Sequence, residues 1–373
     1  MSSENNGGDI ESCLRGRLRA LLLFDVAEEI DLNRLNNLLG KAPSRREPAF
    51  RQPAPEYVRF ERPPVLEDLG ICAINEGEKL QARIRYFEYG VASVEFQLPF
   101  EGSWQTMLRM APHWVMSPAL EGRASALLRE RLEPLREVLR KPYEGWVSED
   151  YYVVQLDPIR GKNGQIVTAD ELVQKHGTEI AQLVRGEEQP LSRSETQEVL
   201  QSSMSYYATD LVVPGWVAAF VYDSPAMASP VIELLEYANS QLLEFRYYDD
   251  LLTRVLADVY KRLDVSRGLT ARWRLASDAE RLNTIRLDCQ ELTERTDNAI
   301  KFLSDMFYAR VYRLASSRIG VTDYRDLVTE KLNTARDLYD SMVNEFHQAR
   351  AFLLEVLVII ILIVEIIPLF RGH

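Results

Sequence analysis

Residues 351–370 read AFLLEVLVIIILIVEIIPLF, and only Arg371, Gly372 and His373 follow. Twenty helical residues rise ~30 Å, the thickness of a bilayer's hydrocarbon core. Sixteen of the twenty are Leu, Ile, Val or Phe. Each favours insertion by roughly 0.3 to 0.6 kcal/mol at a helix centre, or about −5 to −10 kcal/mol together. Glu355 and Glu365 interrupt the run, and an acid costs about 2.5 to 3.5 kcal/mol at the centre and less near an end. The sum favours insertion. The sequence therefore predicts a C-terminal transmembrane helix over 351–370 that anchors the body of the chain by its tail.

Working outward, the chain has 373 residues, 46% hydrophobic and 27% charged, with a net charge of −12. That length suits two or three domains. The acidic balance argues against a surface built wholly for nucleic acid. Cys13, Cys72 and Cys289 are scattered and show no disulfide framework or metal-site spacing. The opening MSSENNGGDIES is polar and acidic, unlike a signal or transit peptide. These features, with the apolar tail, predict a single-pass membrane protein with its N-terminal body in the cytoplasm.

Residues 1–17 read as disordered, and 18–226 as an α+β domain. Leu18 to Ile30 is rich in apolar residues and predicts a strand, and Asp31 offers an N-cap for a short helix ending at Gly40. Six prolines make 41–64 irregular or extended. Leu80, Ala82, Ile84 and Tyr86 alternate with polar residues, Gly90 can turn, and Val91 to Leu98 returns as a hairpin. A helix is expected over Ser117–Arg140, perturbed at Pro134, then a strand over Asp150–Leu156 and a turn at Gly161–Gly164. Helices follow over 168–185 and 192–205. Leu211 to Tyr222 reads as one buried strand, with Pro214 marking an edge or bulge near its start.

From 227 to 350 the pattern is helical with a period of seven. One seam reads Leu235, Leu242, Asp249, Leu256, Leu263, with Ala238, Phe245, Leu252 and Val259 as its companion. A second runs Leu282, Ile285, Cys289, Leu292, Thr296, Ala299, Leu303, Met306, and a third Leu332, Ala335, Tyr339, Met342, Phe346, Ala349, Leu353, Val356. Such a/d spacing predicts coiled-coil packing, within one chain or between chains. Asp249 is the polar seam residue, the type that fixes register. No Pro or Gly lies between Val321 and Ile367, so the third seam runs unbroken into the apolar tail. An up-down-up course puts the loop carrying Arg267, Arg272, Trp273 and Arg274 at the membrane end, where basic residues and Trp suit lipid headgroups. The expected fold class is thus α+β: a mixed N-terminal domain, long antiparallel coiled-coil helices, and a last helix continuing into the membrane.

Catalytic signals are missing from the sequence. His113, His176, His347 and His373 have no metal-ligand partner at helical spacing, and no nucleophile elbow, Walker A or dinucleotide glycine pattern occurs. No catalytic residue, metal ligand, cofactor or small-molecule substrate is indicated. Glu355 and Glu365 lie ~15 Å apart along a helix. They suit contacts between anchors in an oligomer, with Arg350 and Arg371 flanking them.

Leu354-Glu355, the apolar run and Glu365-Ile366 resemble the end of the "required for meiotic nuclear division" family, a domain of unknown function. Leu353 and Val356 stand where its members often carry Arg and Trp. Asp210 to Tyr222 and LLEYANSQLLEFRYYDD (Leu234–Asp250) are similar to its bacterial members. The resemblance implies an α+β domain, helices and a membrane tail, in eukaryotic relatives large assemblies that support mitochondrial translation, and for this chain, which opens on no transit peptide, a member in a bacterial plasma (inner) membrane.

The sequence thus points to a non-enzymatic scaffold, tail-anchored in the bilayer, that forms a homo-oligomer through its coiled-coil and transmembrane helices. The first alternative is a membrane tether for ribosomes or RNA. The second is a membrane-bound enzyme whose site converges only in the fold.

Overall fold

The computed structural model describes residues 14–40, 63–75, 78–115, 117–161, 163–265, 279–291 and 306–371. Side chains are placed for these except at 75, 78, 262–265, 306, 345, 346, 349 and 364–371. The chain divides into two units, residues 1–244 with 296–323, and residues 245–295 with 324–373.

In the first unit β1 (Leu14–Ile30) is a central strand. Its apolar stretch from Ala20 to Phe24 is buried on both faces, which is why it reads as a continuous run and not an alternation. Around it lie β2 (Val65–Asn75), β3 (Glu78–Tyr86), β4 (Val91–Gly102), β5 (Leu139–Leu156), β6 (Leu211–Pro214) and β7 (Ala218–Tyr222). The order is β2-β3-β4-β1-β5-β7-β6; β5 and β7 are parallel and the other neighbours antiparallel. The β3–β4 turn needs Gly90, whose φ is +94° and whose missing Cβ would collide with the Ala27 carbonyl.

Even-numbered residues of β1, β3 and β4 share one face. Ala20, Leu22, Ala82, Ile84, Val94 and Phe96 pack there with Ala124, Leu127 and Leu128 of α3 (Pro118–Leu132). Farther along, Leu18, Phe100, Val154 and Phe220 pack with α2 (Trp104–Trp114) and α4 (Ala169–Arg185). The opposite face meets the start of α6 (Pro225–Val265) and α8 (Met306–Ile319): Phe87 lies against Tyr237, Tyr89 hydrogen-bonds Ser240, and Tyr237 lies against Tyr312.

Local chemistry explains the boundaries. Asp31 accepts the Arg34 N–H and caps α1 (Leu32–Leu38). Thr168 and Glu171 close a reciprocal capping box on α4. The helix expected over Ser117–Arg140 stops at Leu132, because Pro134 lacks an N–H and disfavours helix before it. β5 then starts at Leu139 and runs back along β1. The single strand expected over Leu211–Tyr222 is a hairpin, turning at Gly215-Trp216 with Pro214 on the sheet edge. α5 ends at Leu200 (Arg193–Leu200), short of 205.

The second unit is helical among the described residues. It holds the later part of α6, residues 279–291 (α7), and α9 (Val321–Arg371) from residue 324 on. α9 is continuous, as the lack of Pro and Gly predicts. The transmembrane expectation is corrected: among the described residues no helix is long and apolar enough to cross a membrane. The tail anchor, the single-pass plasma-membrane placement and the membrane half of the fold class fall with it.

Candidate functional site

Alternation along three strands projects charge into the interior of the first unit. Arg19 of β1, Arg83 and Arg85 of β3, and Ser93, Glu95 and Gln97 of β4 lie on the face that α6 covers. The register sets Arg83 opposite Glu95, Arg85 opposite Ser93 and Arg19 opposite Gln97. Glu95 is 1% exposed. One of its oxygens accepts from Arg19 Nη1 and Gln97 Nε2, each at 2.8 Å, and the other accepts from Arg83 Nε. Arg85 reaches the helix, with Nε 3.0 Å from Glu236 Oε2 and Nη2 3.5 Å from Glu233 Oε1. Glu233 and Glu236 are three apart, so they share one face of α6.

Burial sets the electrostatics. It pulls the Arg19 guanidinium down from its ordinary value, against the attraction of Glu95. It pulls on Arg85 too, but there Glu236 and Glu233 more than offset it. It pushes the Glu236 carboxyl up, with Arg85 opposing. These charges chiefly satisfy one another. Their chemical effect is to hold α6 against the sheet in one position, since a buried charge without its partner costs several kcal/mol. On the other face Tyr86 donates to Glu67 at 2.8 Å, and burial raises that phenol. Among the described residues no cluster of His, Cys, Asp or Glu could hold a metal ion.

The second unit contains seam residues from all three helices. Leu252, Leu256 and Val259 of α6 are buried, as are Leu282, Ile285 and Cys289 of α7, and Ala335 and Met342 of α9, while Leu332 and Tyr339 are half-buried. Asp249 is half-buried at its seam position. Lys331 Nζ donates to its Oδ1 at 2.6 Å, to its carbonyl at 3.3 Å and to Thr253 Oγ1 at 2.5 Å. The polar seam residue therefore has its own cation one helix away.

From Ala351 to Ile363 the described side chains of α9 are exposed. Leu353 is 45% exposed, Val356 37%, Ile360 54% and Ile363 53%, and the residues between them are also exposed. Arg350 and Glu355 stand exposed on the same helix. Glu365 and Arg371 belong to α9, but their side chains lie outside the described ones. Arg267, Arg272, Trp273 and Arg274 lie outside the described residues altogether, as do Leu292 to Leu303 of the second seam. Sequence reasoning missed the Arg–Glu network. Its signal was available in Gln81-Ala-Arg-Ile-Arg-Tyr86 and Ser93-Val-Glu95, where charged and polar residues alternate with apolar ones on strands whose polar face is also covered.

With this geometry in hand, comparison with known proteins is informative for the first unit. Residues 15–228 match the family model described as "Uncharacterized protein MJ0711, N-terminal domain". That is more than half of the chain. The chain belongs to this family. One similar curated protein is the uncharacterised protein MJ0711 of Methanocaldococcus jannaschii, 20% identical over 199 residues. The match covers 53% of this chain and 61% of the relative, so the chain spans about three-fifths of that protein's length. No solved structure matches. The MJ0711 N-terminal domain thus accounts for the sheet and for α1 to α5. It stops where α6 begins, so the carboxylates that grip Arg85 come from sequence beyond the family match.

Proposed function

We propose that this member of the MJ0711 family is a non-enzymatic scaffold that self-associates through the distal part of α9. The observation that carries the reading is a seam that outruns its cover. The 3-4 spacing that is buried at Ala335 and Met342 continues through Leu353, Val356, Ile360 and Ile363, where every position is exposed. A second copy of the chain offers the matching surface.

The magnitudes favour this if the contact is wide. Covering the exposed half of one such side chain contributes roughly 1 kcal/mol, so four on each of two copies give about 8. Association costs an estimated 4 to 15 kcal/mol. Adding the flanking Phe352, Leu357 and Ile359, also exposed, brings the total to about 14 by the same measure. Two ion pairs of the first unit support the non-enzymatic part, because Glu95 with Arg19 and Glu236 with Arg85 are taken up within the fold.

Kinship with the "required for meiotic nuclear division" family is the finer part of the proposal. Its support is the sequence of the β6–β7 hairpin and of Leu234–Asp250 in α6.

Chemical cross-linking of the full-length chain at micromolar concentration tests the reading. Covalent multimers are expected. They should vanish in the Leu353→Glu/Ile360→Glu variant while the first unit keeps its unfolding temperature. A wild-type chain that stays monomeric sinks the proposal, and so does a monomer that instead floats with phosphatidylcholine vesicles.

A further inference from the structure

Heptad spacing alone does not fix how two helices meet. An apolar seam repeats every seven residues, so sliding one helix by a heptad again sets apolar against apolar. In the second unit Leu252, Leu256 and Val259 of α6 and Ala335 and Met342 of α9 are buried and would accept such a slide. Lys331 and Asp249 would not. The Lys331 ammonium has three N–H donors, and α6 supplies three acceptors. These are Asp249 Oδ1 at 2.6 Å, the Asp249 carbonyl at 3.3 Å and Thr253 Oγ1 at 2.5 Å. Thr253 lies one turn beyond Asp249, and its own hydroxyl donates to the same carbonyl at 2.7 Å. The pair is largely withdrawn from water, with side-chain exposures of 27% for Lys331 and 21% for Asp249.

A slide of one heptad takes this socket apart. It brings Lys331 to Leu256 or Leu242, and Asp249 to Leu338 or Tyr324. The ammonium then loses its three acceptors to hydrocarbon, and the carboxylate loses its cation. A half-buried ion pair adds little net stability, because desolvation offsets its attraction, yet leaving either charge unmatched is costly. Such a pair discriminates between registers more than it strengthens any one of them. We infer that Lys331 and Asp249 are positioning residues that set the register of α9 on α6. The apolar residues beside them bind the two helices together, and the ion pair selects where. This assignment is independent of self-association, because both residues belong to one chain and one unit.

Pulsed electron resonance between genetically encoded spin labels at Ala257 on α6 and Asp337 on α9, both exposed, reads the register in the full-length chain. Dilution with unlabelled chain restricts the reading to distances within one molecule. Wild type should give a single narrow distance. The Asp249→Leu/Lys331→Leu variant makes the seam apolar throughout. It should stay helical by circular dichroism and show a second distance, displaced by up to ~10 Å, the rise of seven residues. Asp249→Lys/Lys331→Glu rebuilds the pair with its charges exchanged and should return one narrow distance. A leucine variant that keeps the wild-type distance alone overturns the inference. So does one that loses its helices, since the pair would then supply stability and not register. Failure of the exchanged pair to narrow the distribution overturns it as well.

Discussion

Arg85 and Asp25 show two different outcomes of burying charge in the same sheet. Arg85 has Glu236 and Glu233 beside it. Truncating Arg85 to Met strands a buried Glu236 carboxyl and should cost about 3–5 kcal/mol of unfolding free energy. Replacing both, as Arg85→Met/Glu236→Leu, should restore most of it, as denaturant unfolding can measure. A double variant as unstable as the single would mean that the pair is not the source of the loss. Asp25 is 2% exposed, and burial raises its carboxyl to about 8. The folded chain therefore holds a proton that the unfolded chain releases near pH 4. Stability from this group is complete below pH 4 and drains away as pH rises towards 8, by at most about 1.4 kcal/mol per unit. Asp25→Asn mimics the protonated form. The variant should gain on wild type in melting temperature between pH 5 and 9, and parallel curves would refute the assignment.

At the scale of elements, legibility followed the number of faces each element buries. β1, α1 and α4 were readable because caps and apolar runs coincide: Asp31 and Thr168 both accept the N–H groups that their positions predict. The first part of β5 was not readable, since Leu139 to Glu149 is polar and largely exposed and takes its strand form from pairing with β1. No element was expected over Trp104–Trp114, although Ser103 accepts the Thr106 N–H and caps α2. The seams were legible as a period but not as a partnership, because heptad spacing does not say which helix supplies the other half. The Arg–Glu network was hidden for a similar reason, with its two carboxylates far away in α6. One corner depends on a single residue. Gly320, between α8 and α9, has φ +96°, and a Cβ there would stand 3.3 Å from the Trp216 ring. Gly320→Ala should cost about 1–3 kcal/mol, since L-residues rarely adopt that backbone conformation. An unchanged denaturation midpoint would show that the corner relaxes freely.

At the scale of the whole molecule, the family boundary and the folding boundary differ. The match ends at 228, whereas the first unit extends to 244 and takes in 296–323 as well. The added segments bring Glu233, Glu236, Tyr237 and Ser240 on α6, and Tyr312 on α8, to the second face of the sheet. Without them Leu21, Leu23 and Val91 lose their cover, and Arg19, Arg83 and Glu95 form an ionic row open to water. A half-buried sheet of this kind exposes several hundred Å² of apolar surface, enough to drive association. A fragment of residues 14–228 is therefore expected to bind a hydrophobic dye and elute as aggregate, with no cooperative thermal transition. A longer fragment, residues 14–323, carries every element of the first unit and should unfold cooperatively. If the shorter fragment instead gives a monomer with a sharp transition, the helices beyond the family match are not part of the folding unit. The Arg85–Glu236 pair would then be an accessory contact on a domain complete without it.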